Sequence, residues 1–449
     1  MHLKELYSKF NVSELDEVEV STQDEEFSGT IMESNNPQIL VLKLKNGYNI
    51  GIKTERITRI EKKGEARIEI VKEKKEEKRV EFNAMLPKIA ILHTGGTIAS
   101  RIDYRTGAVS ASIEPEQLLE QVPELARIAN IESKFISNLF SEDIRFIHYR
   151  KIARAIEEEL RNGAKGVIVG HGTDTLHYTS AALSFILEGL NAPIILVGAQ
   201  RSSDRGSSDA AMNLVCAAEF IAQSDYAGVG ICMHEKPDNK SCLILNGCKA
   251  RKMHSSRRDA FKPINVKPIA SIDYNTRKIE FIEKNFTKKE EGRQLKLRDS
   301  MEEKVGLIKV HPNMFPEEFE FYEKHNYKGL VIEGTGLGHA PIGTKAEGTE
   351  LHSKILEEIK KLVNKGCVVV MASQTIYGRI QMSVYSNGKD LLAAGVLPGE
   401  DMTPETAFIK LAWLLGNYPK EEAKELIGKN LRGEITPCTS IEGFDVEGL

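Results

Sequence analysis

From Pro87 onward, short apolar runs recur along the chain, each about as long as a strand. Residues 89–92, 166–170, 193–198 and 229–233 are such runs. Apolar runs this short suit strands that are covered on both faces. Amphipathic stretches lie between them. Ile152, Ala155, Ile156 and Leu160 fall on one helical face, and Gly163 supplies the stop. Strands alternating with helices predict crossover connections and a parallel sheet. Ligands in such sheets bind beyond the carboxyl ends of the strands. The residues that follow each run are therefore where chemistry is expected.

Two of those positions stand out. The first run leads into Thr94-Gly95-Gly96-Thr97, and the second into His171-Gly172-Thr173-Asp174-Thr175. Each loop sets hydroxyls beside glycine, which allows sharp turns and close approach. A threonine beside an aspartate is common in surface turns and caps, but two such loops at matching places are more informative. Neither is a phosphate cradle, because neither carries the spacing of a P-loop or a dinucleotide fingerprint. A third glycine-rich stretch, residues 334–338, has Pro341 close behind it.

The rest of the chain divides around this α/β body. Residues 1–85 read as a small all-β unit, an SH3-like barrel serving as a docking module. Residues 17–21 alternate, Leu40, Leu42 and Leu44 alternate with Val41, Lys43 and Lys45, and Asn46-Gly47 signals a hairpin. Residues 72–79 are a run of mixed charge, read as a solvated edge or linker. Residues 86–295 form the larger α/β lobe, and a charged connector near 284–303 leads to a smaller lobe, 296–449. Runs at 306–310, 329–332 and 367–371 are strands of that lobe, and Ile355, Ile359 and Leu362 mark a helix. Thr403-Pro404-Glu405 opens another helix, with a capping hydroxyl, proline at the first position and an acid in the first turn.

With 61 basic and 65 acidic residues, the net charge of −4 gives no overall footprint for nucleic acid. Lys249, Arg251, Arg257 and Arg258 make a local basic cluster that could contact one. No apolar run is long enough to span a bilayer and the start has no signal region, so no membrane association and a cytoplasmic location are expected. The six cysteines form no Cys-x-x-Cys pair and read as buried thiols. No histidine spacing suggests a metal site, and His93 and His171 read as structural.

The loops at 94–99 and 171–175 resemble the two signature loops of the bacterial-type L-asparaginase family. Residues 197–201, 247–262 and 334–341 are similar to further segments of that family, and the likeness covers about 86–435. The resemblance implies a two-lobed asparaginase-like fold. An extra β unit before such a body resembles the family of D subunits of archaeal glutamyl-tRNA(Gln) amidotransferases. The run at 94–109 suits that family better than a free-standing asparaginase.

Amide hydrolysis needs a nucleophile, a base and donors for the oxyanion. The resemblance assigns the nucleophile to Thr97, with Thr173 as the alternative, and a relay to Thr173, Asp174 and Lys252. Backbone N–H groups near Gly96 and Gly172 are the candidate oxyanion donors. A free lysine titrates at about 10.4, so Lys252 must be desolvated to act as a base. Ser141 and Glu142 would hold the α-carboxylate and α-ammonium of the substrate. Tyr104 matches the catalytic-loop tyrosine across a shorter loop. The implied activity is a glutaminase that passes ammonia to a kinase/amidotransferase partner, the E subunit of such complexes. That partner would use ATP and magnesium to convert Glu-tRNA(Gln) to Gln-tRNA(Gln). No cofactor is expected in this chain. A homodimer within a heterotetramer is implied, and tRNA(Gln) is met through the complex. A stand-alone asparaginase or glutaminase is the alternative, and a non-catalytic scaffold is the reading from another class.

Overall fold

The computed structural model describes residues 2–23, 25–34, 36–44, 49–65, 83–95, 100–102, 109–111, 122–201 and 208–439. Helix Leu3–Phe10 precedes a five-stranded antiparallel sheet. Its order is Asn49–Lys53, Ile39–Leu44, Glu26–Met32, Asp16–Ser21, Arg59–Glu65. A 3-10 turn at Thr54–Arg56 carries the chain from one edge of this sheet to the other. The predicted alternation holds: Val18 and Val20 point inward with Leu40, Leu42 and Ile31, forming a core with Leu6 of the helix. The Asn46-Gly47 turn and the charged run lie outside the described residues, although the strands on either side of that turn do pair.

The central sheet has eight strands. Asn130–Phe135, Lys88–His93, Val167–Gly170, Pro193–Val197 and Gly228–His234 run parallel in that order. Ser241–Asn246, Ala270–Asp273 and Ile279–Phe281 then extend it antiparallel. The sheet is therefore mixed, not wholly parallel. The physical reason is connection length: residues 235–240 are too few for a crossover and can only turn the chain back.

Alternation along the parallel strands separates two cores. Ile89 and Ile91 face one side with helix Ala210–Gln223, while Ala90 and Leu92 face the other with helices Phe146–Arg161 and Leu176–Ile186. The second core does not stop at the lobe. It continues into helix Pro404–Asn417 and the four-stranded parallel sheet of the smaller lobe, through Val331, Val368, Val370, Ala407 and Leu411. Phe185 stacks on Trp413 with ring centroids 5.3 Å apart, which fixes the two helices against each other.

Two buried ion pairs lie nearby, one joining the lobes and one fastening helix Pro404–Asn417 to the tail that follows it. Lys249 meets Asp401 at 2.6 Å and Lys410 meets Glu434 at 2.6 Å, all four side chains almost fully enclosed. Among the described residues no helix is long and apolar enough to cross a membrane. Five cysteines are buried, but Cys438 is exposed, because it lies in the irregular tail.

Candidate active site

Parallel pairing brings the ends of two strands together, since His93 stands beside Gly170. The loops that follow must therefore open side by side. Thr94 donates both its backbone N–H and its hydroxyl to the Gly170 carbonyl, each at 3.0 Å. Gly95 then turns the chain with φ of +113°, and a side chain there would sit 2.3 Å from the Leu139 carbonyl oxygen. Only glycine suits both conditions. Thr97 and Tyr104, and with them Gly96, lie outside the described residues.

The second loop is held from below. His171 is fully buried, its Nε2 lying 2.8 Å from the Thr179 hydroxyl two helical turns on. Burial lowers its pKa to about 4, so the ring is neutral at neutral pH. Burial likewise lowers that of His93 to about 4. Thr175 donates to the Ser141 carbonyl at 2.6 Å, joining this loop to the turn Ser141–Asp143. Gly172 lets that turn come close, since a side chain there would lie 2.9 Å from Ser141 Cβ.

Lys252 arrives from a short hairpin, Ala250–Lys252 paired with Phe261–Pro263. Its ammonium donates at 2.8 Å to Thr173 Oγ1 and at 2.8 Å to Asp174 Oδ1. The lysine side chain is only 9% exposed and the aspartate 68% exposed. A largely enclosed amine thus touches a buried hydroxyl, with a solvated carboxylate keeping it in place. In its neutral form such an amine can take the threonine proton. Ser141 is buried and Glu142 exposed, the two side chains 3.4 Å apart at the mouth of the same site.

The structure adds contacts that sequence reasoning did not assign. Gly198 lies against Thr173, whose Cγ2 would be 2.6 Å from any added Cβ. Its signal was present in the 197–201 segment, but without a physical role. Part of the basic cluster turns inward. Lys249 is fully buried against Asp401, and Arg251 pairs with buried Glu405 at 3.1 Å. The enclosed Lys249 head requires such pairing and is not available to nucleic acid, whereas the Arg251 side chain stays 26% exposed beside its carboxylate partner. Among the described residues no group of three His, Cys, Asp or Glu side chains is placed to hold a metal.

These two threonine loops at the carboxyl ends of adjacent strands, with a largely enclosed lysine, define an asparaginase-type amidohydrolase. Residues 88–286 match the family model for asparaginase, N-terminal, and 304–427 the glutaminase/asparaginase C-terminal domain. The structure resembles the thermostable L-asparaginase from Thermococcus kodakarensis, with a TM-score of 0.68 and 30% identity over 78% of this chain and 99% of that one. It is also similar to L-asparaginase I from Vibrio cholerae, with a TM-score of 0.66 and 27% identity over 78% of this chain and 99% of that one.

The remainder narrows the class. Residues 12–62 match the GatD N-terminal domain. The D subunit of glutamyl-tRNA(Gln) amidotransferase from Pyrococcus furiosus is 48% identical over 93% of both chains. That from Pyrococcus abyssi is 45% identical over 99% of this chain and all of its own, and that from Methanococcus maripaludis strain C5 44% identical over 95% and 99%. The chain belongs to the family of glutamyl-tRNA(Gln) amidotransferase D subunits.

Proposed function

We propose that this chain is the glutaminase component of a tRNA-dependent amidotransferase. The observation that carries the reading is the 2.8 Å contact of Lys252 with both Thr173 and Asp174, at the mouth of an asparaginase-type fold. Thr97 attacks the side-chain amide of glutamine, ammonia leaves, and a γ-glutamyl ester remains on the hydroxyl oxygen. Water then cleaves the ester to glutamate. Thr173, Lys252 and Asp174 form the proton relay, with Lys252 as base and Asp174 as its anchor. Ser141 and Glu142 hold the α-carboxylate and α-ammonium, and Tyr104 contributes to substrate binding. Ammonia passes to a partner subunit, which activates Glu-tRNA(Gln) with ATP and magnesium in the cytoplasm. This chain itself needs no cofactor and works as a homodimer within the larger complex.

A second assignment of the attacking group has a specific observation behind it. Thr173 is the hydroxyl that Lys252 touches, so it is the one best placed to be deprotonated directly. The test is ammonia release from glutamine by the full chain with its partner and Glu-tRNA(Gln). Thr97→Ala, Thr173→Ala and Lys252→Ala are each expected to abolish it. Mass spectrometry of quenched reactions then locates the γ-glutamyl adduct, expected on Thr97. Wild-type inactivity towards glutamine under these conditions refutes the reading.

A further inference from the structure

We propose that the Arg251–Glu405 contact between the two lobes is the positioning device for Lys252, so that the smaller lobe sets the geometry of the catalytic relay. This inference rests on the amidohydrolase reading above. The hairpin that carries Lys252 has only three residues in each strand, too few to be rigid alone. What steadies it comes from the far lobe. The start of helix Pro404–Asn417 and the residues just before it grip the segment ahead of Lys252 at three points. Thr406 donates its hydroxyl to the Cys248 carbonyl at 2.9 Å. Asp401 accepts from Lys249 at 2.6 Å through its carboxylate and at 2.8 Å through its backbone carbonyl. Glu405 forms an ion pair with Arg251, the charged atoms 3.1 Å apart.

The third grip differs from the other two. Arg251 is the residue immediately before Lys252, so a shift of its guanidinium is transmitted to the lysine backbone with least loss. Glu405 is also the acid of a first helical turn capped by Thr403, where helix N–H groups favour a carboxylate. Its second oxygen has no hydrogen-bond partner among the described residues, which leaves Arg251 as its close cation. The network also reaches the other half of the relay. His177 Nε2 lies 4.0 Å from Glu405, on the first turn of the helix that follows Thr173 and Asp174. The His177 ring packs edge-on against Phe261, the cross-strand partner of Lys252. Glu405 therefore touches both elements whose separation is the Lys252–Thr173 distance.

The experiment uses the full chain assembled with its partner subunit and measures ammonia release from glutamine. Glu405→Gln is expected to lower kcat by about tenfold to a hundredfold, the effect of a misplacement near 1 Å, with KM for glutamine little changed. Removing the Glu405 carboxylate leaves Arg251 without its counter-charge. Glu405→Asp keeps the charge but withdraws it by one methylene. It should also lower kcat with KM for glutamine little changed, and it carries the test if Glu405→Gln fails to fold. Arg251→Met combined with Glu405→Met should recover thermal stability while kcat stays low. Wild-type kcat in Glu405→Gln, full kcat in Glu405→Asp, or full kcat in the double methionine variant would each overturn the inference while wild-type activity upholds the amidohydrolase reading. A wild-type complex that releases no ammonia removes both.

Discussion

Replacing Gly198 by alanine tests the placement of Thr173 with a single methyl group. The backbone of Gly198 is not in the left-handed region, so alanine meets no conformational penalty there. The cost is steric. The new Cβ would lie 2.6 Å from Thr173 Cγ2, with Leu176 Cδ1 at 3.2 Å and the His171 carbonyl oxygen at 3.3 Å. Carbon atoms rest at about 3.5 Å or more, so the threonine must move by about 1 Å. The 2.8 Å contact with Lys252 would then pass beyond hydrogen-bonding range. A shift of that size at a reacting group costs about a hundredfold in rate, and overpacking of this kind costs about 1–3 kcal/mol in stability. The assay is steady-state ammonia release from glutamine, beside a denaturant melt of the same sample. Thr173→Ser supplies the decisive control, since serine keeps the hydroxyl and lacks the clashing methyl. Gly198→Ala with Thr173→Ser should run much faster than Gly198→Ala alone, a coupling that independent sites do not show. Equal rates for the single and double variants, or full activity in Gly198→Ala, would refute the steric account and with it the claim that Thr173 must sit where it does.

Other expectations follow from the buried polar groups and the first loop. Lys410→Met strands the Glu434 carboxylate in an enclosed site and should lower unfolding free energy by about 3–5 kcal/mol in a urea titration, whereas replacing both partners with apolar residues should restore most of it. His171 and His177 have folded pKa values lowered to about 4 by burial, below the unfolded value of about 6.5. Between those values only the unfolded chain takes up the protons, so stability is full above about pH 6.5 and falls as pH drops towards 4. Urea midpoints across that range should decline, and His171→Asn should flatten the slope. Gly95→Ala combines a φ of +113° with a clash against the Leu139 carbonyl and should cost more than the ~1–3 kcal/mol of backbone strain alone, read as a lowered melting temperature together with lost ammonia release.

Much of this molecule is legible in its sequence. Strands Lys88–His93, Val167–Gly170, Pro193–Val197 and Gly228–His234 are visible because burial on both faces leaves an uninterrupted apolar signature. Helix Pro404–Asn417 announces itself through local cap chemistry. Edge strands are harder. Asn130–Phe135 is polar on its open side and carries no such signature, and helix Leu3–Phe10 is too short for a clear period. The threonine loops and Lys252 come together only through resemblance, since no spacing rule joins residues that far apart in the chain. The partners of Arg251 and Lys249 are hidden for the same reason. A cluster of basic residues looks alike on paper whether it faces water or a carboxylate from the other lobe.

The core shared between the lobes has a consequence for how the protein is made. Helix Leu176–Ile186 is almost wholly buried, and the element that covers it, helix Pro404–Asn417, leaves the ribosome long after it. Domains generally fold as units while the chain emerges, and the N-terminal sheet, with a core of its own, can do so at once. The larger lobe cannot. For most of its synthesis one side of it waits uncovered, a natural substrate for chaperones, and premature release of the nascent chain would leave that side open to aggregation.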